Sequence, residues 1–179
     1  KKKINVLKMS SVYRGFAGYL KSLNSGYGLN IIEIDDISPD TDDETVREKA
    51  LAGTIAIGIE LEERVRNGEW VVMLGDRVID RNTRYVEADF LGEKARFPDG
   101  PWIMASMLDV PCYVMHAVHD QKSGSIMLYF REIGKVILPR GEKRKEALRR
   151  YVADYAAELE RIIVRSPLDW GNFYDFWNV

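Results

Sequence analysis

GEKRKEALRRYVADYAAELERIIV, residues 141–164, is the stretch that decides the class of fold. Ala147, Leu148, Tyr151, Val152, Tyr155, Ala156, Leu159, Ile162 and Ile163 recur at helical spacing and form one apolar stripe. Lys143, Lys145, Arg149, Arg150, Glu158 and Glu160 supply the charge. A stripe of that kind is buried against another layer, and the residues upstream say what the layer is. Residues 70–74, WVVML, have no polar alternation and read as a strand covered on both faces. Residues 85–90 and 93–97 read as a hairpin about Leu91-Gly92, and 111–118 and 125–132 as two strands joined by the polar DQKSG. Residues 4–7 and 30–34 add short strands.

Helices fall between these strands. Residues 11–23 carry Val12, Phe16, Tyr19, Leu20 and Leu23 at helical spacing, with NSGYG as the stop after them. A second helix runs over 44–66, weakened in the middle by Gly53 and Gly58 and ended near Gly68. A third opens with Pro101 and runs to 108. Strands alternating with helices predict an α/β fold: a mixed sheet flanked by helices, with a long C-terminal amphipathic helix. The acidic DDISPDTDDE before residue 45 reads as an exposed loop. No repeat or linker interrupts the chain, so a single domain over 1–179 is expected.

Composition narrows the function classes. A net charge of −2 gives no global field toward nucleic acid, so none is expected as a partner. One cysteine, Cys112, rules out an internal disulfide and fits a reducing, cytoplasmic setting. No apolar run approaches the roughly 20 residues that span a bilayer. KKKINVLKM lacks the apolar core of a signal peptide. The chain starts on Lys1 and not on Met, so it is expected to be the C-terminal part of something longer.

Four segments carry a resemblance. They are GEWVVMLGDRV, with Gly75-Asp76-Arg77 after a strand; ADFLGEKARFPDGPWIMA, with Phe97-Pro98-Asp99-Gly100-Pro101; LDVPCYVM, where Pro111 opens a strand; and the tail SPLDWGNFYDFW. In this order they resemble the lysophospholipid acyltransferase superfamily, in its bacterial lipid A lauroyl/myristoyl acyltransferase-like branch, over residues 30–177. The tail block, with Pro167, Trp170, Asn172, Phe173, Tyr174, Asp175, Phe176 and Trp177, is the most specific.

The resemblance implies transfer of a fatty acyl group from acyl-carrier protein or acyl-coenzyme A to a hydroxyl or amine of a lipid-like acceptor. It implies no cofactor and no metal, and a peripheral position on the inner face of the cytoplasmic membrane. The family's base is a His-x-x-x-x-Asp pair, in which the Asp orients the imidazole that deprotonates the acceptor. No such spacing occurs in 1–179, and the block is expected upstream of Lys1. The rival reading is therefore a non-catalytic lipid- or acyl-binding or regulatory module. Two further departures are Asp99, Pro101 and Trp102 where many members carry Glu, Thr and Arg, and an apparent insertion over 42–58.

The implied acceptor-binding residues are Asp76, Arg77, Phe97, Pro98, Asp99 and Gly100. Each has a plainer reading. Arg77 clamps an anionic group of the acceptor, or forms a salt bridge with Asp76, Asp80 or Glu87. Residues 97–100 meet substrate at the start of a helix whose amides favour an anion, or make an ordinary Pro-Asp-Gly turn. His116, His119 and Cys112 are core or rim residues rather than a zinc set. His116 and Asp120 are one residue short of the motif, and on a strand their side chains stand roughly 13 Å apart. Cys112 reads as a small buried hydrophobe. Lys143, Arg144, Lys145, Arg149 and Arg150 dock an acidic carrier or anionic lipid heads, or form a solvated helix start. The tail aromatics line an acyl pocket, or staple the last helix to the sheet.

Overall fold

A computed structural model describes residues 3–9, 28–34, 44–78, 83–172 and 175–177. The helix expected over 11–23 lies outside the described residues, as do most of the acidic loop, Asp80, Phe173 and Tyr174. The chain forms two compact units, Lys1–Gly75 and Asp76–Val179.

The first unit is a parallel sheet in the order β2-β1-β3, with β1 at Ile4–Met9, β2 at Leu29–Ile34 and β3 at Trp70–Met73. The helix Glu44–Arg66 runs unbroken through Gly58, where an added Cβ would meet nothing. Glu60 and Arg64, one helical turn apart, pair at 2.7 Å along it. WVVML is less covered than its composition predicts, since Trp70 is 45% and Leu74 61% exposed. A run without polar residues reports what a strand tolerates, while burial depends on which layers lie over it.

A buried polar knot ties the start of this sheet. Asn5 is fully buried. Its Nδ2 donates to Glu69 Oε2 at 3.0 Å and to the Trp70 carbonyl at 3.1 Å, and its Oδ1 accepts from Asn30 Nδ2 at 3.0 Å. Both amide hydrogens and the oxygen are used, which is what makes an interior asparagine tolerable.

The second unit holds two antiparallel hairpins. The first pairs β4 (Tyr85–Phe90) with β5 (Glu93–Pro98). Leu91 and Gly92 both have positive φ, 53° and 91°, as a two-residue turn matching the strand twist requires. Leucine is a poor residue there, and its N–H is held by Glu160 Oε2 at 2.7 Å from the C-terminal helix. The second pairs β6 (Pro111–His119) with β7 (Ile126–Lys135), with a register shift at Cys112/Tyr113. Between the hairpins in sequence lies the helix Gly100–Leu108, and after them the helix Glu142–Arg165.

The expected stripe on that last helix is the one it buries: Ala147, Leu148, Val152, Ala156, Leu159, Ile162 and Ile163. Most of it packs against Phe90, Phe97, Ala95 and Trp102. Each buried side chain of the Val, Leu or Phe kind contributes about 1.5–3 kcal/mol. After a 3-10 turn at Pro167–Asp169 the tail folds back into this core. Trp170 and Phe176 reach Phe90 with ring centroids 5.5 Å apart in each case, and Phe176 is 2% exposed. The aromatics at 170, 176 and 177 thus staple the tail to the body. The fold is α/β with parallel and antiparallel pairing.

Candidate functional site

Asp76 and Arg77 follow β3 in sequence and open the second unit. Arg77 Nε lies 3.4 Å from Asp76 Oδ2, and its Nη2 donates to the Gly171 carbonyl at 2.9 Å. The Arg77 side chain is 28% exposed and that of Asp76 17%. The salt-bridge reading of this pair is therefore realised, and the planar fork of arginine lets a second nitrogen grip the tail.

Of residues 97–100 the first three are buried. Phe97 is fully buried, edge-on to Phe90 at 5.4 Å. Pro98 is buried and ends β5 opposite Tyr85. Asp99 is 7% exposed, and its Oδ2 accepts from Arg84 Nη2 at 2.6 Å. Its own N–H donates to the Arg84 carbonyl, and its carbonyl accepts from Trp102 and Ile103 N–H, so Asp99 fastens the hairpin to the helix start. Gly100 is exposed at that start, and a Cβ there would meet nothing.

Tyr155, in the middle of the last helix, packs beside the second of these segments. Phe97 meets its ring edge-on at 6.0 Å, Trp102 lies at 6.0 Å, and His116 stacks on it at 6.4 Å. Burial pushes the phenol far above its usual range, and the negative charge of Asp76 pushes it further. Asp76 and Phe97 thus act on one side chain, while Arg77 and Asp99 turn to different partners, Gly171 and Arg84.

The histidines divide. His116 is half-buried, and its Nε2 has no hydrogen-bond partner among the described residues. Burial lowers its pKa; Glu158 and Asp76 oppose, and Arg161 and Arg131 add. It does not pair with Asp120, whose carboxylate accepts from Ser123 Oγ at 2.6 Å and Lys122 N–H at 3.1 Å. His119, at the end of β6, is the residue whose partner the sequence hid. Its Nδ1 lies 2.6 Å from Asp169 Oδ1, and its N–H donates to Asp169 Oδ2 at 3.0 Å. Fifty positions separate the two, so no local spacing signals the pair.

Cys112 is half-buried, its Sγ 3.3 Å from the Val110 carbonyl, and burial pushes the thiol up and away from nucleophilic use. Among the described residues no three His, Cys, Asp or Glu side chains gather to hold a metal.

A family model of bacterial lipid A biosynthesis acyltransferases matches residues 55–178. The chain belongs to that family. The match takes in Asp76-Arg77, residues 97–100 and the tail that anchors both Arg77 and His119. Acyl transfer in lipid biosynthesis is the activity this family carries. No curated protein matches the chain. No helix among the described residues of this acyltransferase-family chain is long and apolar enough to cross a membrane.

Proposed function

We propose that this chain takes part in moving a fatty acyl group from acyl-carrier protein or acyl-coenzyme A to a hydroxyl or amine of a lipid-like acceptor. The observation that carries the reading is the family match over residues 55–178. The chain supplies acceptor-binding residues to that reaction. Asp76, Arg77 and Gly100 meet the acceptor; Phe97, Pro98 and Asp99 shape the site from behind, as their burial favours. Work takes place at the inner face of the cytoplasmic membrane. Lys143, Arg144, Lys145 and Arg149, all exposed at the start of the last helix, supply the charge that an acidic carrier or anionic lipid heads attract.

The test is incubation of the chain with lauroyl-coenzyme A or lauroyl-carrier protein and vesicles containing a lysophospholipid, with acylated lipid read by mass spectrometry. Acylated product supports transfer. Binding of the acyl donor without product supports the non-catalytic module instead, and neither binding nor product sinks the reading.

A further inference from the structure

We propose that a cavity between β7 and two helices of the second unit binds a zwitterionic phosphodiester headgroup, its phosphate on Arg131 and Arg150 and its ammonium on Glu132 and Asp154. The site goes beyond the acyl-transfer reading and does not rest on it.

The cavity holds about 280 Å³. Trp102 reaches it from the helix Gly100–Leu108, Arg131, Glu132 and Ile133 from β7, and Arg150, Tyr151 and Asp154 from the helix Glu142–Arg165. That volume is small for a whole lipid and sufficient for a headgroup. Asp76, Arg77 and Gly100 do not line it.

Irregular backbone builds one side of the cavity. In a regular strand successive side chains point to opposite faces. Here Tyr113 pairs with Glu132 and Cys112 with Gly134, so Ile133 is an extra residue with no partner across the ladder. Gly134, next to it, has a φ of 76°. The bulge breaks the alternation where three consecutive residues of β7 meet one cavity.

The other side is aromatic and fixed in advance. Trp102 and Tyr151 stack with ring centroids 5.5 Å apart and planes 17° apart. The Arg150 guanidinium carbon lies 5.2 Å from the Tyr151 ring centroid. The Tyr151 hydroxyl accepts from the Ile137 N–H at 3.1 Å, so the ring that carries Arg150 is itself held.

Electrostatics select the ligand. Arg150, Glu132 and Asp154 make no ion pair among the described residues. Arg131 Nε lies 3.7 Å from Glu158 Oε2, beyond hydrogen-bond reach. Neither that Nε nor the Nε1 of Trp102, a residue only 7% exposed, has a hydrogen-bond partner among the described residues. Buried donors without acceptors are rare, and these two belong to residues of the same cavity. A ligand of one sign meets two like charges there, while a ligand carrying both signs answers all four. A phosphate offers oxygens enough for two guanidinium groups, whereas one arginine fork fills both oxygens of a carboxylate.

The experiment titrates the chain with glycerophosphoethanolamine, with glycerol phosphate and with ethanolamine, read by calorimetry and by the Trp102 indole N–H signal in NMR. Trp102→Phe assigns that signal. Arg150→Gln and Asp154→Asn replace exposed helix residues, and equal unfolding midpoints check that the fold is kept. The expected result is binding of the zwitterion about tenfold or more tighter than either single-sign compound, with a shifted Trp102 signal and a loss of about tenfold in each variant. Vesicles rich in phosphatidylethanolamine identify the source. Retention on them that is lost in both variants assigns the cavity to a lipid headgroup, and binding of the soluble compound without retention assigns it to a free small molecule; each upholds the zwitterion site. Glycerol phosphate binding as tightly as the zwitterion overturns it. So does binding that both variants leave unchanged, or no binding at millimolar concentration.

Discussion

Arg77 Nη2 donates to the carbonyl of Gly171 at 2.9 Å, tying the start of the second unit to a tail 94 residues further on. The same guanidinium lies 3.4 Å from Asp76. One side chain therefore orders the tail and stands where the acceptor's anion is proposed to bind. Arg77→Ala is expected to lower stability by about 1 kcal/mol, the value of an ordinary hydrogen bond. Hydrogen exchange should quicken at Trp170–Asn172 more than elsewhere. Arg77→Lys keeps the charge but loses the fork, and should resemble Arg77→Ala in exchange.

Asp99 and Gly100 are neighbours with opposite sensitivities. Asp99 is 7% exposed and its carboxylate holds Arg84, so Asp99→Ala is expected to cost about 1.5 kcal/mol in urea unfolding. The figure sits at the low end for a charged bond because the Arg84 side chain is 65% exposed. Gly100→Ala adds a methyl group to open space and should change stability by less than about 0.5 kcal/mol. A large loss for Gly100→Ala without a loss of acceptor binding would show that the helix start is not built as described.

Acid should weaken the second unit over an upper and a lower pH range. Burial, with Arg161 and Arg131, holds the His116 imidazole below its ordinary value, against Glu158 and Asp76. That contribution is present above the unfolded value of about 6.5 and is lost as pH falls through the lower folded value. The Glu158 carboxyl is also lowered, chiefly by its hydrogen bond from Arg161, with Arg131 and His116 adding. Its contribution is present above about 4.3 and is lost as pH falls through its lowered value. His116→Gln should remove the upper range from a stability-versus-pH curve and leave the lower one.

In the first unit, Asn5 uses its whole amide on Glu69, the Trp70 carbonyl and Asn30. Asn5→Leu is close in volume and leaves those partners unpaired. A loss of about 1–3 kcal/mol is expected in denaturant unfolding, reflecting buried groups deprived of partners. An unchanged midpoint would mean that water replaces the amide.

Much of the secondary structure was legible because its causes are local. The stripe on Glu142–Arg165, the Leu91-Gly92 turn and the Pro101 helix start each follow from spacing or backbone preference within a few residues. The aromatic staple was legible too, since Pro167 turns a tail too apolar for solvent. Of the candidate site, Asp76–Arg77 was visible as adjacent opposite charges. The burial of Phe97 and Asp99 was not, because Pro-Asp-Gly reads the same in a surface turn and in one packed under a helix.

Among the described residues, the sequence by itself located the strands and helices, and, through four ordered blocks, the acyltransferase family. Periodicity and backbone preference act over a handful of positions, so one chain suffices to read them. Only the tertiary structure chose the partners: Arg77 with Gly171, Arg84 with Asp99, and His119 with Asp169. Those choices depend on the path of the backbone over tens of residues. Chemical complementarity alone leaves each polar group many partners to choose from, and the fold decides which one is within 3 Å.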